Sequence, residues 1–524
     1  LGITMPTNFF VSNGILGTTG SIYKILSPST PQEFSDNASN LSGLSGTGVG
    51  KSQHIDGDYA AIGVRSHNSN AGIVYILKNT SGTWASHATL SSPAGVSYFG
   101  TNVYLNNNFC YVTCVNDADD KGKFFGYELV SGSWNLLGSH THTNTATVDN
   151  GSKMNIVVNT RMQSGILRYR VIFNVEGTLG SYRLNDNKNG WFNEGGQHYI
   201  DSPNSQAGVY GLTFNGPYFA AGNPECSSYS GITNEGKVSI HRFDVNSSWR
   251  RRQMLPHIKG VQGSKYGWDV SIYGDYIAVS APEFKLNSTD TNTGIVYIYK
   301  LTYNQYYDPI TTFISSITNI NAQHFGHSVS LNGDYLYIGD NKDDTTGTDD
   351  GSIYIYKRKT DNLWEEKGKI TLTGNPPGDN ANFGNYMKSS GDYIIAGADN
   401  FDTGNGAVFI VKIFDTGPSP TNTTQNNKTF TGTDFSNFNL NGVNFSNSNF
   451  INCDFTDTNF TNATLTDISG YQIVPKNGYG ITFPSNYYVS NGFISTPNNN
   501  ISGHVEILSG TDEQNSTFNN KDFS

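Results

Sequence analysis

One pattern limits the possible folds of this 524-residue chain more than any other: a unit of about 57 residues that recurs along most of its length. Aromatic residues mark the period, since five tryptophans follow one another at intervals of 50, 57, 58 and 115 residues, and 115 is close to twice 57. Tyr306 or Tyr307 supplies a ring at the middle of the double interval. Such a period indicates a repeat protein, in which each unit needs its neighbours to bury its apolar face. The tryptophans are Trp84, Trp134, Trp191, Trp249 and Trp364.

A second motif between these aromatic residues predicts four antiparallel strands per unit. Its clearest copies begin at residues 266, 325 and 383 and read YGWDVSIYGDYIAVSA, FGHSVSLNGDYLYIGD and FGNYMKSSGDYIIAGA. An aromatic-Gly pair opens the first strand, Gly-Asp makes a tight turn, and the alternating run that follows is the second strand. Gly followed by a segment such as VYIY gives a third strand, and the tryptophan segment gives a fourth. Four antiparallel strands repeated radially are the blade of a β-propeller.

The Gly-Asp positions predict seven blades, near residues 57, 107, 160, 216, 274, 333 and 391. The seventh unit has only three strands, because DTGPSPTNTTQ follows it and contains no fourth strand. A propeller must close its ring, since exposed sheet edges invite pairing with other chains. We therefore expect GSIYKILSP, residues 20–28, to supply the missing strand from the N-terminal side.

These motifs resemble the FG-GAP repeat family, the blades of integrin α-subunit head propellers and of their bacterial and viral relatives. The resemblance covers residues 20 to about 414. In integrins, several blade loops bind calcium through a D-x-D-x-D-G-type sequence. The loops here lack its full alternation of carboxylates, so no metal ligand is assigned and solvated acidic loops are the alternative to a weak calcium site. The calcium candidates are Asp117, Asp119, Asp120, Asp343, Asp344, Asp349 and Asp350.

A repeat of five residues follows the propeller region. Phe or Leu recurs eight times without a slip from Phe430 to Leu465, and Asp or Asn precedes six of the eight. A period of five fits neither an α-helix nor a flat strand. It resembles the pentapeptide-repeat family, which implies a short right-handed quadrilateral β-helix of about two coils. Some family members mimic DNA, but two Asn-rich coils do not make a long acidic rod, so a spacer is the favoured interpretation.

A third repeat joins the modules. GITMPTNFFVSNGI (2–15) and GITFPSNYYVSNGF (480–493) share nine of fourteen residues, and the latter resembles a connector found beside pentapeptide arrays. The five-residue period resumes at Phe518 and Phe523. We therefore expect this sequence to be part of a longer protein built from such modules in series. Its parts are a connector (1–19), the propeller (20–416), a linker (417–427), the β-helix (428–467), a second connector (468–510) and the start of another pentapeptide segment (511–524).

The net charge and the sequence motifs argue against several classes of binding partner. A net charge of −11 argues against nucleic acid, and Arg250–Arg252 is interpreted as a solvated edge strand. No apolar run approaches the roughly 20 residues of a membrane span. The four cysteines contain no CxxC pair, which argues against a zinc site. His140 and His142 share one strand face and could hold a metal, but without a third ligand nearby they are interpreted as exposed strand residues.

No sialidase-type Asp box, G-x-S-x-G, H-E-x-x-H or P-loop pattern is present, so no catalytic or cofactor-binding residue is assigned. The sequence predicts an all-β, non-enzymatic structural or surface-display protein on a virion or cell surface. The combination of modules resembles fibre or capsid-associated components of viruses, whose partners are other copies or modules of a larger assembly. Two alternatives stay open: an integrin-like adhesin that binds a glycan or protein ligand through a propeller face, and a propeller hydrolase or lyase.

Overall fold

The structure is a computed structural model, and it divides the chain into two compact units: Thr30–Lys412, and Leu1–Ser29 together with Ile413–Ser524. The residues it describes are 9–12, 15–18, 32–34, 48–80, 82–106, 108–116, 121–142, 154–163, 166–175, 178–184, 191–193, 198–199, 211–215, 218–226, 235–243, 249–255, 263–286, 293–303, 309–359, 363–372, 380–413, 426–431, 435, 440–451, 453, 455, 458–471, 488–490 and 493–495.

The first strands of the chain and the first three sheets of the unit Thr30–Lys412 are as follows. Before the first sheet come β1 (Phe9–Ser12), β2 (Ile15–Thr18) and β3 (Gln32–Phe34). The first sheet contains β4 (Gln53–Asp56), β5 (Tyr59–Val64), β6 (Ile73–Thr80) and β7 (Thr83–Ser91), with the short α1 (His67–Asn70) between β5 and β6. The second contains β8 (Val96–Ser97), β9 (Val103–Asn106), β10 (Phe109–Asn116), β11 (Lys121–Val130) and β12 (Ser133–Thr141). The third contains β13 (Met154–Gln163), β14 (Ile166–Val175), β15 (Thr178–Leu184), β16 (Trp191–Asn193) and β17 (His198–Tyr199).

Four further sheets complete this unit. The fourth contains β18 (Leu212–Asn215), β19 (Tyr218–Asn223), β20 (Lys237–Phe243) and β21 (Trp249–Leu255). The fifth contains β22 (Val270–Tyr273), β23 (Tyr276–Ala281), β24 (Ile295–Tyr303) and β25 (Pro309–Ile317). The sixth contains β26 (Ser328–Asn332), β27 (Tyr335–Asp340), β28 (Ser352–Arg358) and β29 (Trp364–Thr371). The seventh contains β30 (Phe383–Ser390), β31 (Tyr393–Ala398) and β32 (Ala407–Lys412), with α2 (Phe401–Gly404) between β31 and β32.

The sheets form the predicted β-propeller. In the first, fourth, fifth and sixth sheets the four strands pair antiparallel in chain order, and a Gly-Asp turn joins the first two strands of the fifth and sixth sheets. The first strands of successive sheets pack beside one another around the ring, from β4 through β9, β13, β18, β22 and β26 to β30, which lies beside β4 again. The closed ring removes the open edges that a stack of separate sheets would present.

Six regular blades are present where seven were predicted, because the third sheet of the ring is irregular. The arms β13 and β14 form one ten-residue hairpin, and β15 then pairs with both β16 and β17. This is the unit in which the aromatic-Gly and Gly-Asp motifs are missing from the sequence. Without the tight turn, the first two strands extend well past the usual length of about five residues.

A strand from the N-terminal side closes the last blade, as predicted. The strand is β3, which pairs antiparallel with β32 and places Gln32 opposite Ile410 and Phe34 opposite Val408. The prediction that residues 20–28 supply this strand concerns a segment outside the described residues. An edge strand is held by its backbone groups, so the alternating apolar pattern of residues 20–28 was a weak guide to the pairing segment.

Blades join through backbone contacts at a glycine. The glycine that precedes the third strand of one blade forms a parallel bridge with the aromatic residue that opens the next. At Gly294 φ is +76°, and an added Cβ would lie 2.0 Å from the carbonyl oxygen of Phe325. A side chain at this position would be both strained and obstructed. The bridges are Gly72–Phe99, Gly236–Tyr266, Gly294–Phe325 and Gly351–Phe383.

The aromatic member of each bridge anchors the core between two blades. Phe325 is completely buried and meets Tyr354 edge to face, with ring centroids 5.3 Å apart. Phe99 is equally buried against Phe125, at 5.8 Å. Burial of a side chain of this size contributes about 1.5–3 kcal/mol. The motif that opens each blade therefore supplies both the backbone contact and the apolar anchor of the junction.

The second unit contains the predicted β-helix. Its strands β33 (Thr429–Thr431), β34 (Asn449–Ile451) and β35 (Ser469–Tyr471) pair in parallel, with partners 20 residues apart. Twenty residues are four pentapeptides, so each coil has four sides. The inward rings form a buried column, in which Phe450 meets Phe435 and Phe455, and Phe455 meets Phe460, edge to face with ring centroids 5.1–5.8 Å apart.

The twin connector phrases form the same hairpin. In the first, β1 and β2 pair so that Ser12 lies opposite Ile15. In the second, β36 (Tyr488–Ser490) pairs with β37 (Phe493–Ser495) so that Ser490 lies opposite Phe493. Both pairs of strands are separated by Asn-Gly, the dipeptide most typical of two-residue hairpin loops. The strand β37 also lies beside β35, so the second hairpin packs against the last strand of the parallel sheet.

We expect Gly294→Ala to lower the free energy of unfolding by about 3 kcal/mol or more, because strain at positive φ and a collision with the Phe325 carbonyl act together. Gly274 provides the matched control, since its φ is +54° and a Cβ there would meet open space. Gly274→Ala should cost only the backbone strain, about 1 kcal/mol. Chemical unfolding of both variants measures the difference, and equal losses would show that the glycine bridge does not constrain the junction.

Candidate functional site

The first strands of the blades contact one another around the ring, so they line its central channel. A repeated hydrogen bond connects these strands. The acceptor is a side chain on the first strand, five positions before the aromatic residue that opens the second strand, and the donor is a backbone N–H of the next sheet. Each first strand is a sheet edge, and this bond satisfies a group that its own sheet leaves unpaired. The acceptor and donor pairs are His54 Nδ1 and Leu105 N (3.3 Å), Thr213 Oγ1 and Ile272 N (3.4 Å), Ser271 Oγ and Leu331 N (2.9 Å), and Ser330 Oγ and Ser389 N (3.0 Å).

Asp269, two positions before Ser271 and just before β22, makes an equivalent bond. Its Oδ2 accepts from the backbone N–H of Val329 at 2.9 Å, and its Oδ1 accepts from that of Val270 at 2.9 Å. Burial raises the pKa of Asp269, while the positive charge of Lys388 and the two N–H bonds act against that rise. The carboxylate is therefore held at the junction between the fifth and sixth sheets.

The seventh sheet departs from this pattern. Lys388 stands where the first, fourth, fifth and sixth sheets have the bridging acceptor, and an ammonium group has no lone pair to accept a bond. Tyr386 occupies the position of Asp269, and its side chain is 45% exposed. The junction with the first sheet is instead bonded through Gln53 Nε2, which donates to the Tyr386 carbonyl oxygen at 2.7 Å, and through Gly57 N, which donates to Ser390 Oγ at 3.1 Å.

A row of aromatic rings crosses three neighbouring sheets where their first strands begin. His327 lies between Trp268 and Tyr386 and meets both edge to face, with ring centroids 5.2 and 6.5 Å apart. His327 Nδ1 donates to the Asn385 carbonyl oxygen at 3.0 Å, because that oxygen can only accept. Burial lowers the pKa of His327 to about 4, so at neutral pH its Nε2 is an unprotonated acceptor.

Asp269 connects the row with Lys388, since the Asp269 charge contributes to the raised pKa of Tyr386 and the Lys388 charge acts on Asp269. Burial raises the pKa of Tyr386 to about 12 although the side chain is partly exposed, as expected in a water-accessible space enclosed by protein. Burial, assisted by the positive charge of Lys388, lowers the pKa of His54 to about 3. The Lys388 charge therefore acts on the first and fifth sheets from the seventh, which places these groups around one channel.

Of the calcium candidates, those in the loop after β27 already bond to donors. Asp343 accepts from Lys369 Nζ at 2.5 Å, and Asp349 pairs with Lys342 at 2.8 Å. Asp344 accepts from Gln323 Nε2 and from the Asp349 backbone N–H, and Asp350 accepts from the Thr346 hydroxyl. Burial alone would raise the pKa of Asp343, but the bonds from Lys369 and Thr345 hold it below its usual value. Calcium could bind here only if both lysines moved away.

The other calcium candidates, Asp117, Asp119 and Asp120, lie outside the described residues. Among the residues that are described, no three His, Cys, Asp or Glu side chains are arranged to hold a metal ion. Calcium binding by this chain therefore stays a prediction.

The interpretation of His140 and His142 as exposed residues is wrong. His142 is 1% exposed and meets Phe173 at 5.6 Å, while His140 lies 4.4 Å from Tyr182, both distances between ring centroids. The third sheet packs against this face of β12, which strand alternation in a single unit does not reveal. Burial lowers the pKa of His140, so the ring stays neutral at neutral pH. The run Arg250–Arg252 lies on β21, the outermost strand of its sheet.

We expect Asp340 to make the stability of the propeller depend on pH. Its carboxylate accepts backbone N–H bonds from Gln323, His324 and Lys342, but burial raises its pKa to about 6. Because the pKa of Asp340 is higher in the folded than in the unfolded state, protonation of Asp340 stabilises the fold. This contribution to the free energy of unfolding is complete below about pH 4 and is lost as the pH rises through 6. The loss amounts to about 3 kcal/mol.

The measurement is the free energy of unfolding between pH 4 and 8 for the wild type and for Asp340→Asn. The advantage of the wild type over the variant should shrink across this range. A difference that does not change with pH would contradict the assignment to Asp340.

Comparisons with known proteins match parts of the chain. The model of the FG-GAP repeat matches residues 249–299 and 321–356, and that of pentapeptide repeats matches residues 430–467 in eight copies. A search of the curated proteins found no match. Among the residues described, no helix has both the length and the apolar character needed to cross a membrane.

Several solved structures have a distant likeness to this chain. A candidate 6-phosphogluconolactonase from Bacteroides fragilis is 14% identical over 62% of this chain and 84% of its own, with a TM-score of 0.42. A protein from Lactobacillus plantarum is 14% identical over 62% and 85%, also with a TM-score of 0.42. The complex of SREBP and SCAP binding domains from fission yeast is 11% identical over 60% and 74%, with a TM-score of 0.36. Likenesses this distant indicate no function.

The sequence matches agree with the architecture. FG-GAP repeats are typical of adhesion and surface-type modules, and here they fall on the fourth to sixth sheets of the propeller. The eight pentapeptides fall on the four-sided coil. The chain thus combines a β-propeller that contains FG-GAP repeats with a β-helix of pentapeptide repeats.

Proposed function

We propose that this protein is a non-enzymatic structural component that displays a rigid propeller on the surface of a virion or cell, as part of a modular fibre, a capsid-associated layer or an extracellular coat. Its partners are other copies or modules of the same assembly. The observation that supports this most strongly is the connector hairpin, which occurs twice with the same register.

The hairpin has the features of a reusable joint. Its second copy packs beside β35, the last strand of the parallel sheet. A coil of parallel strands leaves backbone groups unpaired at its ends, and a stack of about two coils needs a cap. A hairpin that can pack there joins one module to the next and protects the end of the coil at the same time.

Both kinds of module are suited to rigid display. In the propeller, glycine bridges and side-chain hydrogen bonds connect neighbouring sheets. In the coil, the Phe435, Phe445 and Phe450 side chains are completely buried. Regular structure with well-packed cores keeps its shape, so loops on such modules are held at defined positions.

Antibodies against the propeller should label the outside of intact particles or cells of the source organism in electron microscopy. The native polypeptide should also have a mass above the 57.1 kDa of this chain, as expected for modules in series. Labelling only after lysis would overturn surface display. A native mass near 57 kDa would overturn the tandem arrangement and leave display intact.

A second function, an adhesin that binds a glycan or protein ligand through a propeller face, is favoured by the aromatic row Trp268, His327 and Tyr386. If adhesion depends on calcium, calcium should raise the melting temperature by displacing Lys342 and Lys369 from the carboxylates of their loop. The test compares melting curves with excess calcium and with chelator for the wild type and for the double variant Asp343→Asn, Asp349→Asn.

A rise in melting temperature that the double variant loses would support a calcium site in this loop. A curve that calcium and chelator leave unchanged would overturn calcium dependence through this loop.

A further inference from the structure

We propose that the channel mouth between the fifth and seventh sheets binds an acidic saccharide, whose sugar ring stacks on Tyr386 and whose carboxylate or sulfate group bonds to Lys388. The proposal goes beyond surface display and gives the adhesin function a specific site and ligand. It concerns binding alone, so it can hold even if the protein is not displayed on a surface.

The first argument is the exception in the repeated pattern. At the position of Lys388, the first, fourth, fifth and sixth sheets have His54, Thr213, Ser271 and Ser330, which all accept a bond from the next sheet. A lysine gives up that bond, and the junction is held by other groups instead. A residue that gives up a hydrogen bond made at the same position in other repeats, with no other gain in stability, is a candidate functional residue.

The second argument is that these side chains are accessible. Tyr386 is 45% exposed, and no hydrogen bond to its hydroxyl is present among the described residues. Within the same residues, the Lys388 ammonium group has no ion pair or hydrogen bond. The Asp269 charge contributes to the raised pKa of Tyr386, and the Lys388 charge opposes the rise in the pKa of Asp269, so both side chains lie within electrostatic range of the same carboxylate.

The third argument is the chemistry of the surrounding groups. The face of an aromatic ring suits the C–H face of a pyranose, while sugar hydroxyls need both donors and acceptors. The Tyr386 hydroxyl can act as either, and the neutral His327 ring offers Nε2 as an acceptor. This combination of flat apolar surface with a few polar groups is typical of small-ligand sites.

The charge of Lys388 selects an acid. The charge of Lys388 opposes the rise in the pKa of Asp269, but both Asp269 oxygens already accept backbone N–H bonds. A ligand carboxylate or sulfate can therefore form the charge-assisted bond that the ammonium group lacks. Nucleic acid would also offer anions, but the net charge of −11 opposes a long polyanion.

The experiment is calorimetric titration of the full chain with three probes: trigalacturonic acid, a sulfated chondroitin hexasaccharide and neutral maltotriose. At least one acidic probe should bind at least about tenfold more tightly than maltotriose, as expected for one charge-assisted hydrogen bond. Binding of trigalacturonic acid would show that a carboxylate is enough for Lys388, and binding of the chondroitin probe alone would show that the sulfate group is needed.

Two variants locate the site. Lys388→Ser installs the residue found at the same position in the fifth and sixth sheets, so the protein should stay folded and lose about tenfold in affinity for the acid. Tyr386→Ala should weaken binding of the same probe by a similar factor through loss of stacking. Tyr273→Ala is the control, because Tyr273 is 49% exposed at the other end of a first strand and should leave the affinity unchanged.

Three results would overturn the proposal. In the first, neither acidic probe binds the wild type. In the second, maltotriose binds as tightly as the acids. In the third, Lys388→Ser and Tyr386→Ala melt like the wild type and retain its affinity. Surface labelling is independent of all three, so failure of this site and failure of the display function can be told apart.

Discussion

The propeller depends on one contact, the approach of two backbones where a glycine of one blade meets the aromatic residue that opens the next. A Cβ at Gly294 or Gly351 would lie 2.0 or 2.2 Å from the carbonyl oxygen of its partner, so no other residue fits without moving a blade. The same contact buries Phe325 and Phe383 completely. Spacing between blades, closure of the ring and the width of the channel all follow from how closely these backbones approach.

This contact explains which parts of the fold the sequence could predict. Units that contain both the aromatic-Gly pair and the Gly-Asp turn, such as those that begin at Phe325 and Phe383, fold into regular blades. The pentapeptide period predicts the four-sided coil. The third unit lacks both the aromatic-Gly pair and the Gly-Asp turn. There the spacing of the repeats predicted a blade but could not reveal a long hairpin such as β13–β14. The sequence did not point to β3 as a closing strand, since edge pairing uses backbone groups that all residues share.

The candidate site was harder to predict, because it depends on contacts between units rather than within one. Neither Trp268 nor His327 stands out in its own strand, and the two rings meet only when neighbouring blades pack together. Likewise, the burial of His142 comes from the next sheet. Aligning the repeats by position would have shown one signal, namely that Lys388 stands where four other sheets have a side chain that can accept a hydrogen bond.

A repeat fold separates structural from functional positions in a way that a single core does not. Because each sheet places the same position in nearly the same environment, Ser271 and Ser330 show what the ring needs there: a small side chain with an acceptor. Lys388 meets neither need, while Gln53 and Ser390 hold the junction without it. The ring can therefore tolerate one irregular junction, and that junction is where two large polar side chains gain access to the channel.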